Sequence, residues 1–119
     1  MQFMALIYAD EGAWETLTDE ERQSVYARYQ SLAEDARAAG VMRGGDELAS
    51  TRDATTVRIR EGQTLVVDGP YAETKERLGG YFLFECASID EAVDWAARIP
   101  AAEHGAVEVR PVYFDPAEA

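Results

Sequence analysis

The chain has 119 residues, 47% of them apolar and 29% charged, a balance that suits one globular domain with a core of its own. Eleven Lys and Arg stand against 23 Asp and Glu, giving a formal charge of −12. With no basic cluster to offset it, that charge argues against partners that present phosphates, so neither nucleic acid nor an anionic membrane surface is expected.

Residues 2–9 form an apolar run of strand length. The first ten residues lack the basic start and long apolar stretch of a secretion signal. No apolar run approaches the roughly 20 residues of a membrane-spanning helix, so a cytoplasmic protein is expected. Thr18-Asp19-Glu20-Glu21 reads as a capping box. The helix after it carries Val25, Tyr29, Leu32, Ala36 and Ala39 on one stripe and ends at Gly40. Residues 41–48 read as a strand interrupted by Gly44-Gly45. Residues 55–60 alternate, Val57 and Ile59 on one face and Arg58 and Arg60 on the other, and turn through Glu61-Gly62 into a partner strand at 63–67.

A second unit begins after Gly79-Gly80 with the strand 81–86. It holds the single cysteine, Cys86, which reads as a small core residue; an internal disulfide and a cysteine-rich metal site are excluded. Ser88-Ile89-Asp90-Glu91 repeats the capping-box pattern and opens a helix with Ala92, Trp95, Ala96 and Ile99 inward and Asp94 and Arg98 paired outside. Pro100 stops that helix. A last strand over 107–113 contains Pro111, the mark of a sheet edge or bulge.

Two strand–helix–strand units predict an α+β, ferredoxin-like split βαβ sheet with an inserted hairpin, in a single domain covering residues 1–119. The two central strands are apolar on both faces: Phe3, Ala5 and Ile7 against Met4, Leu6 and Tyr8, and Phe82 and Phe84 against Tyr81 and Leu83. Helices cover only one face of such a sheet. A second copy is the economical cover for the other, so a homodimer with a cavity between its sheets is expected.

Between hairpin and second unit lies Asp68-Gly69-Pro70-Tyr71-Ala72-Glu73-Thr74-Lys75-Glu76. This segment resembles the DGPF (DGPFAETKE-type) group of the YCII-related superfamily, with Tyr71 where that group has Phe. Residues 4–14, Trp95 to Pro100 and Val107 to Pro111 are similar too, so the likeness covers nearly the whole chain. The resemblance implies a dimeric α+β barrel of ferredoxin-like halves. Smaller YCII relatives carry a His–Asp pair proposed as an acid/base site. The position matching that histidine here is Tyr29, and the only histidine is His104. Related barrels include lactone isomerases and dehalogenases, and DGPF proteins are often labelled accessory to sigma factors.

Several residues then have two readings each. Asp68 is either the side chain that holds a turn or a general base at the mouth of the cavity. Tyr29 is either a core residue or a proton donor. Glu73, Lys75, Glu76 and Arg77 form a solvated charged stretch, or a loop over the cavity in which Lys75 or Arg77 meets an anionic ligand. Arg43 and Tyr8 are candidate ligand contacts, with Asp46 nearby, and an inward Arg43 needs a carboxylate or ligand beside it. His104 reads as an exposed loop residue. No cofactor or metal is expected, because no His, Asp or Glu grouping has ligand spacing. Two functions fit. One is an acid/base enzyme of isomerase, lyase or dehalogenase type, acting on a small organic acid or cyclic metabolite at the dimer interface. The other is a non-catalytic ligand-binding or regulatory dimer.

Overall fold

The computed structural model describes residues 1–114. Eight residues of alternating exposure make the first strand, β1 (Gln2–Ala9). It is followed by a one-turn helix α1 (Glu11–Glu15), a long helix α2 (Asp19–Ala38) and strand β2 (Met42–Glu47). A hairpin of β3 (Thr55–Arg60) and β4 (Gln63–Asp68) comes next. Strand β5 (Arg77–Glu85), helix α3 (Ile89–Ala96) and strand β6 (Ala106–Pro111) complete the chain. Short 3-10 turns lie at Thr51–Asp53 and Pro100–Glu103.

Local chemistry sets the helix starts. The Thr18 hydroxyl accepts from the Glu21 amide at 3.1 Å while the Glu21 carboxylate accepts from the Thr18 amide at 2.9 Å, the reciprocal box read from the sequence. The Thr18 amide holds the Glu21 carboxyl below its ordinary pKa. At α3 the Ser88 hydroxyl accepts from the Glu91 amide, but the Glu91 carboxylate reaches the Ala87 amide rather than that of Ser88.

The four-stranded sheet has the order β2-β5-β1-β6, antiparallel throughout, which is the ferredoxin-like arrangement. Residues Phe3, Ala5 and Ile7 point to the helices and join Phe84, Leu32, Ala36, Ala92, Ala96 and Ile99 in one buried cluster. Phe82 and Phe84 stack at 5.6 Å, with Tyr29 and Trp95 flanking them. The alternate residues Met4, Leu6 and Tyr8, with Tyr81 and Leu83 opposite, are only half-buried and lie outside that cluster. The second apolar face is therefore present, and no helix among the described residues packs on it.

Several details depart from the sequence reading. Gly79 and Gly80 lie inside β5, not before it: a Cβ on Gly80 would stand 2.8 Å from the Asp46 carbonyl oxygen, so only glycine lets β2 come this close. Ala39 is exposed: it caps the C-terminus of α2 and lies past the last helical residue, Ala38. Arg98 reaches across to Asp35 of α2 at 2.6 Å instead of pairing with Asp94. Two other expectations hold: Pro111 sits on the edge strand β6 opposite Phe3, and Cys86 is buried, its thiol pKa pushed up by burial and by the nearby Glu91 and Glu85 carboxylates.

The hairpin stands apart as a separate two-stranded sheet. The radius of gyration is 16.5 Å, against about 13.5 Å for a compact chain of this length.

Candidate functional site

The DGPY half of the motif serves the hairpin. Gly69, at φ +107°, bends the chain out of β4, and its amide donates to the Ala54 carbonyl at 2.7 Å. The Thr56 hydroxyl donates to the Gly69 carbonyl at 2.8 Å, and the Arg58 guanidinium lies 4.9 Å from the centre of the Tyr71 ring. Backbone and threonine hold this turn. Asp68 itself is exposed at the end of β4, opposite Thr55, and its carboxylate accepts no hydrogen bond among the described residues.

The ETKER half goes elsewhere. Where β1 ends and β5 begins, Asp10 caps α1 by accepting from the Gly12 amide at 2.9 Å. That cap aims Glu11 at the Thr51–Asp53 turn, whose own start is fixed by the Ser50 hydroxyl. The two Glu11 carboxylate oxygens accept from the Thr51 amide at 2.8 Å and the Thr51 hydroxyl at 2.7 Å. Arg77 donates to the Thr51 hydroxyl oxygen and pairs with Glu11 at 3.5 Å, while its Nε binds the Thr74 carbonyl at 3.1 Å. Partial burial pushes the Glu11 pKa up. The Thr51 hydrogen bonds and the charges of Arg77 and Arg52 outweigh it and hold the carboxyl below its ordinary value.

These groups frame a cleft of about 310 Å³. Its charges are three acids, Asp10, Glu11 and Glu15, and three cations, Arg52, Lys75 and Arg77. Arg52 pairs with Glu15 at 3.0 Å and Arg77 with Glu11, whereas Lys75 makes no ion pair among the described residues. The cleft therefore offers one ammonium without an ion pair among the described residues, beside two guanidinium groups held by acids and the Ser50 hydroxyl, while the Thr74 hydroxyl donates to the Glu76 carbonyl; that ammonium is the group suited to a small carboxylate.

The remaining candidates lie outside it. Tyr29 is half-buried on the helix-covered side of the sheet against Phe82. Burial raises the pKa of its phenol, only partly offset by the Ala101 backbone, so it is a weaker acid than free tyrosine. Arg43 is turned outward by the bulge between Met42 and Gly44. Its guanidinium donates to the Gly40 and Met42 carbonyls at 3.0 and 3.2 Å, beside a second cleft floored by Phe82. Glu73 and His104 are exposed. Tyr8 lies on the open sheet face. There the Tyr81 hydroxyl donates to Asp46 at 2.9 Å, a bond that together with the Asp46 charge raises the Tyr81 pKa. Asp68 and Tyr29 thus belong to different parts of the molecule, while Lys75 and Arg77 come together.

Sequence reasoning missed Glu11, Thr51 and Arg52. Asp10 followed by an acidic residue is the one local cue, a helix start too short to show periodicity. Among the described residues no group of three His, Cys, Asp or Glu is disposed to hold a metal, and no helix is long and apolar enough to cross a membrane.

Comparison with known proteins gives a family over nearly the full length. Residues 1–114 match the YCII-related domain. An uncharacterized protein of Rhizobium meliloti (strain 1021) is 38% identical over 114 residues, 94% of this chain and 92% of that protein.

Proposed function

Since the chain belongs to the YCII-related domain family, we propose that it is a homodimer that binds a small organic acid, with Lys75 as the anchoring cation. The observation that carries this reading is the cleft at the end of β1 and β5, where Arg52 and Arg77 are committed to acids and Lys75 is not. The open face of the sheet, with Met4, Leu6, Tyr8, Tyr81 and Leu83, supports the second copy: apolar side chains in this number call for cover. Binding is favoured over acid/base catalysis because Asp68 is exposed away from the cleft and the phenol of Tyr29 is made less acidic by burial.

The test is thermal stability against a panel of small mono- and dicarboxylic acids and the corresponding neutral lactones. A ligand at 100 times its Kd adds about 2.7 kcal/mol to the folded state. For a domain of this size that is a Tm rise of roughly 10 °C. At least one acid is expected to give such a rise, and Lys75→Ala to abolish it without lowering the Tm of the free protein. No response to any acid, or a full response in Lys75→Ala, overturns the reading.

A further inference from the structure

We propose that the cleft between the end of α2 and the bulge of β2 is a second ligand site, one that takes an aromatic carboxylate. It goes beyond the Lys75 cleft and depends on neither that site nor the dimer. Its volume is about 310 Å³, at the small end of the roughly 300–1,000 Å³ that ligand pockets occupy. Arg37 and Arg43 line it, and no acid does. That is unusual in this chain, where acids outnumber bases 23 to 11 and six of the ten arginines pair with a carboxylate among the described residues. Neither Arg37 nor Arg43 is one of the six. The Lys75 cleft sets three cations against three acids, whereas this one holds two cations against none.

Local structure holds Arg43 ready for an anion. One terminal nitrogen, Nη1, donates to the Gly40 and Met42 carbonyls at 3.0 and 3.2 Å. Nε and Nη2 form the side-on fork of the guanidinium and donate to nothing among the described residues. That fork matches the two oxygens of a carboxylate. The carbonyls past the end of α2 thus anchor the group without using it up. Arg37, in the last turn of α2, adds a second charge, its side chain making no hydrogen bond or ion pair among the described residues. The rest of the lining is apolar. Met42 and Phe82 are half-buried, and Ala33, one turn before Arg37 on the same face of α2, adds only a methyl group. At Gly45 a Cβ would stand 2.6 Å from the Phe82 ring, so only glycine lets that ring lie against bare backbone. A small hydrophilic anion would leave this apolar floor wet, and a neutral ring would leave both guanidinium groups without a counter-charge. An aryl carboxylate satisfies both. The cleft lies on the helix side of the sheet, so a cover over the opposite face leaves it open.

The test is an NMR titration of the ¹⁵N-labelled full chain, read at the Gly44 and Gly45 amides and the Arg43 Nε–H. Three probes are compared: 2-naphthoate, 2-naphthamide, which keeps the ring without the charge, and acetate, which keeps the charge without the ring. Naphthoate is expected to shift these signals saturably and to bind about 10-fold more tightly than either control, the ratio expected from one charge-assisted contact. Arg37→Gln removes a side chain that bonds to nothing else among the described residues, so it should weaken naphthoate by a similar factor and leave the rest of the spectrum in place. Arg43→Gln should weaken it likewise, and Lys75→Ala should not change its Kd. No saturable shift of these signals, a Kd that acetate or naphthamide equals, or a Kd that either arginine variant leaves unchanged overturns the second site. Shifts that appear instead at Gly12 and Thr74 and vanish in Lys75→Ala overturn it too, and leave the Lys75 cleft as the carboxylate site.

Discussion

The Glu11 carboxylate is the keystone of the cleft wall, and replacing it tests whether the wall is built as described. Its two oxygens accept from the Thr51 amide and hydroxyl, and Arg77 stands at 3.5 Å. Hydrogen bonds to a charged group contribute about 1.5–3 kcal/mol each when shielded. The Glu11 and Arg77 side chains are 27% and 31% exposed, so solvent screens part of that. Glu11→Ala should therefore cost about 2 kcal/mol, a fall in Tm of roughly 8 °C near neutral pH. Glu11→Gln keeps an acceptor for the Thr51 donors and loses the charge facing Arg77, and should cost about half as much. The pH dependence has a definite sign. The folded carboxyl titrates below its ordinary value of 4.5, so the stabilisation is fully present above that pH and is lost as the pH falls through the folded pKa. Thermal melts of the three proteins between pH 3 and 8, followed by circular dichroism, give the gap directly. A gap under 2 °C at pH 7, or one that widens on acidification, would refute this account of the wall.

Gly80→Ala places a methyl group 2.8 Å from the Asp46 carbonyl oxygen of the neighbouring strand and should lower stability by about 1–3 kcal/mol, read from the urea midpoint. Asp35 and Arg98 are 56% and 42% exposed, so a double-mutant cycle on them should return a coupling below about 1 kcal/mol despite the short 2.6 Å contact. Burial raises the Tyr29 pKa, so the stability linked to its phenol is complete below about pH 10 and lost as the pH climbs through the folded value. Tyr29→Phe should accordingly show a shallower alkaline decline, measured by chemical denaturation between pH 8 and 11.

What was legible in the sequence was local. The boxes at Thr18 and Ser88 depend on residues three apart, and the alternation of 55–60 with its Glu61-Gly62 turn is a short-range pattern. The Thr18 box and the hairpin appear where they were read, and at Ser88 the hydroxyl half of the box forms while the Glu91 carboxylate turns to the Ala87 amide. The two-faced apolar character of β1 and β5 was equally plain, because side-chain parity along a strand needs no knowledge of its neighbours. Everything that depended on a distant partner was hidden. The partner of Arg98 is 63 residues away, and that of Glu11 is 40. Gly80 belongs inside a strand only because the β2 backbone passes over it. Arg43 turned outward because a bulge shifted the register of β2 by one position. The motif at 68–77 read as one unit, yet its halves brace different structures, which no spacing within it reveals.

The place of β1 in the sheet also governs when the protein can fold. This first strand lies in the middle, hydrogen-bonded on one side to β5 and on the other to β6, with Leu6 opposite Tyr81 and Phe3 opposite Pro111. A ribosome releases residues 2–9 long before β5 or β6 exists, so this apolar strand waits, unpaired, until both have been made. Closing such long loops makes β pairing slow. The fold is therefore completed only after the last strand has emerged, and until then its central strand is the segment most in need of a chaperone.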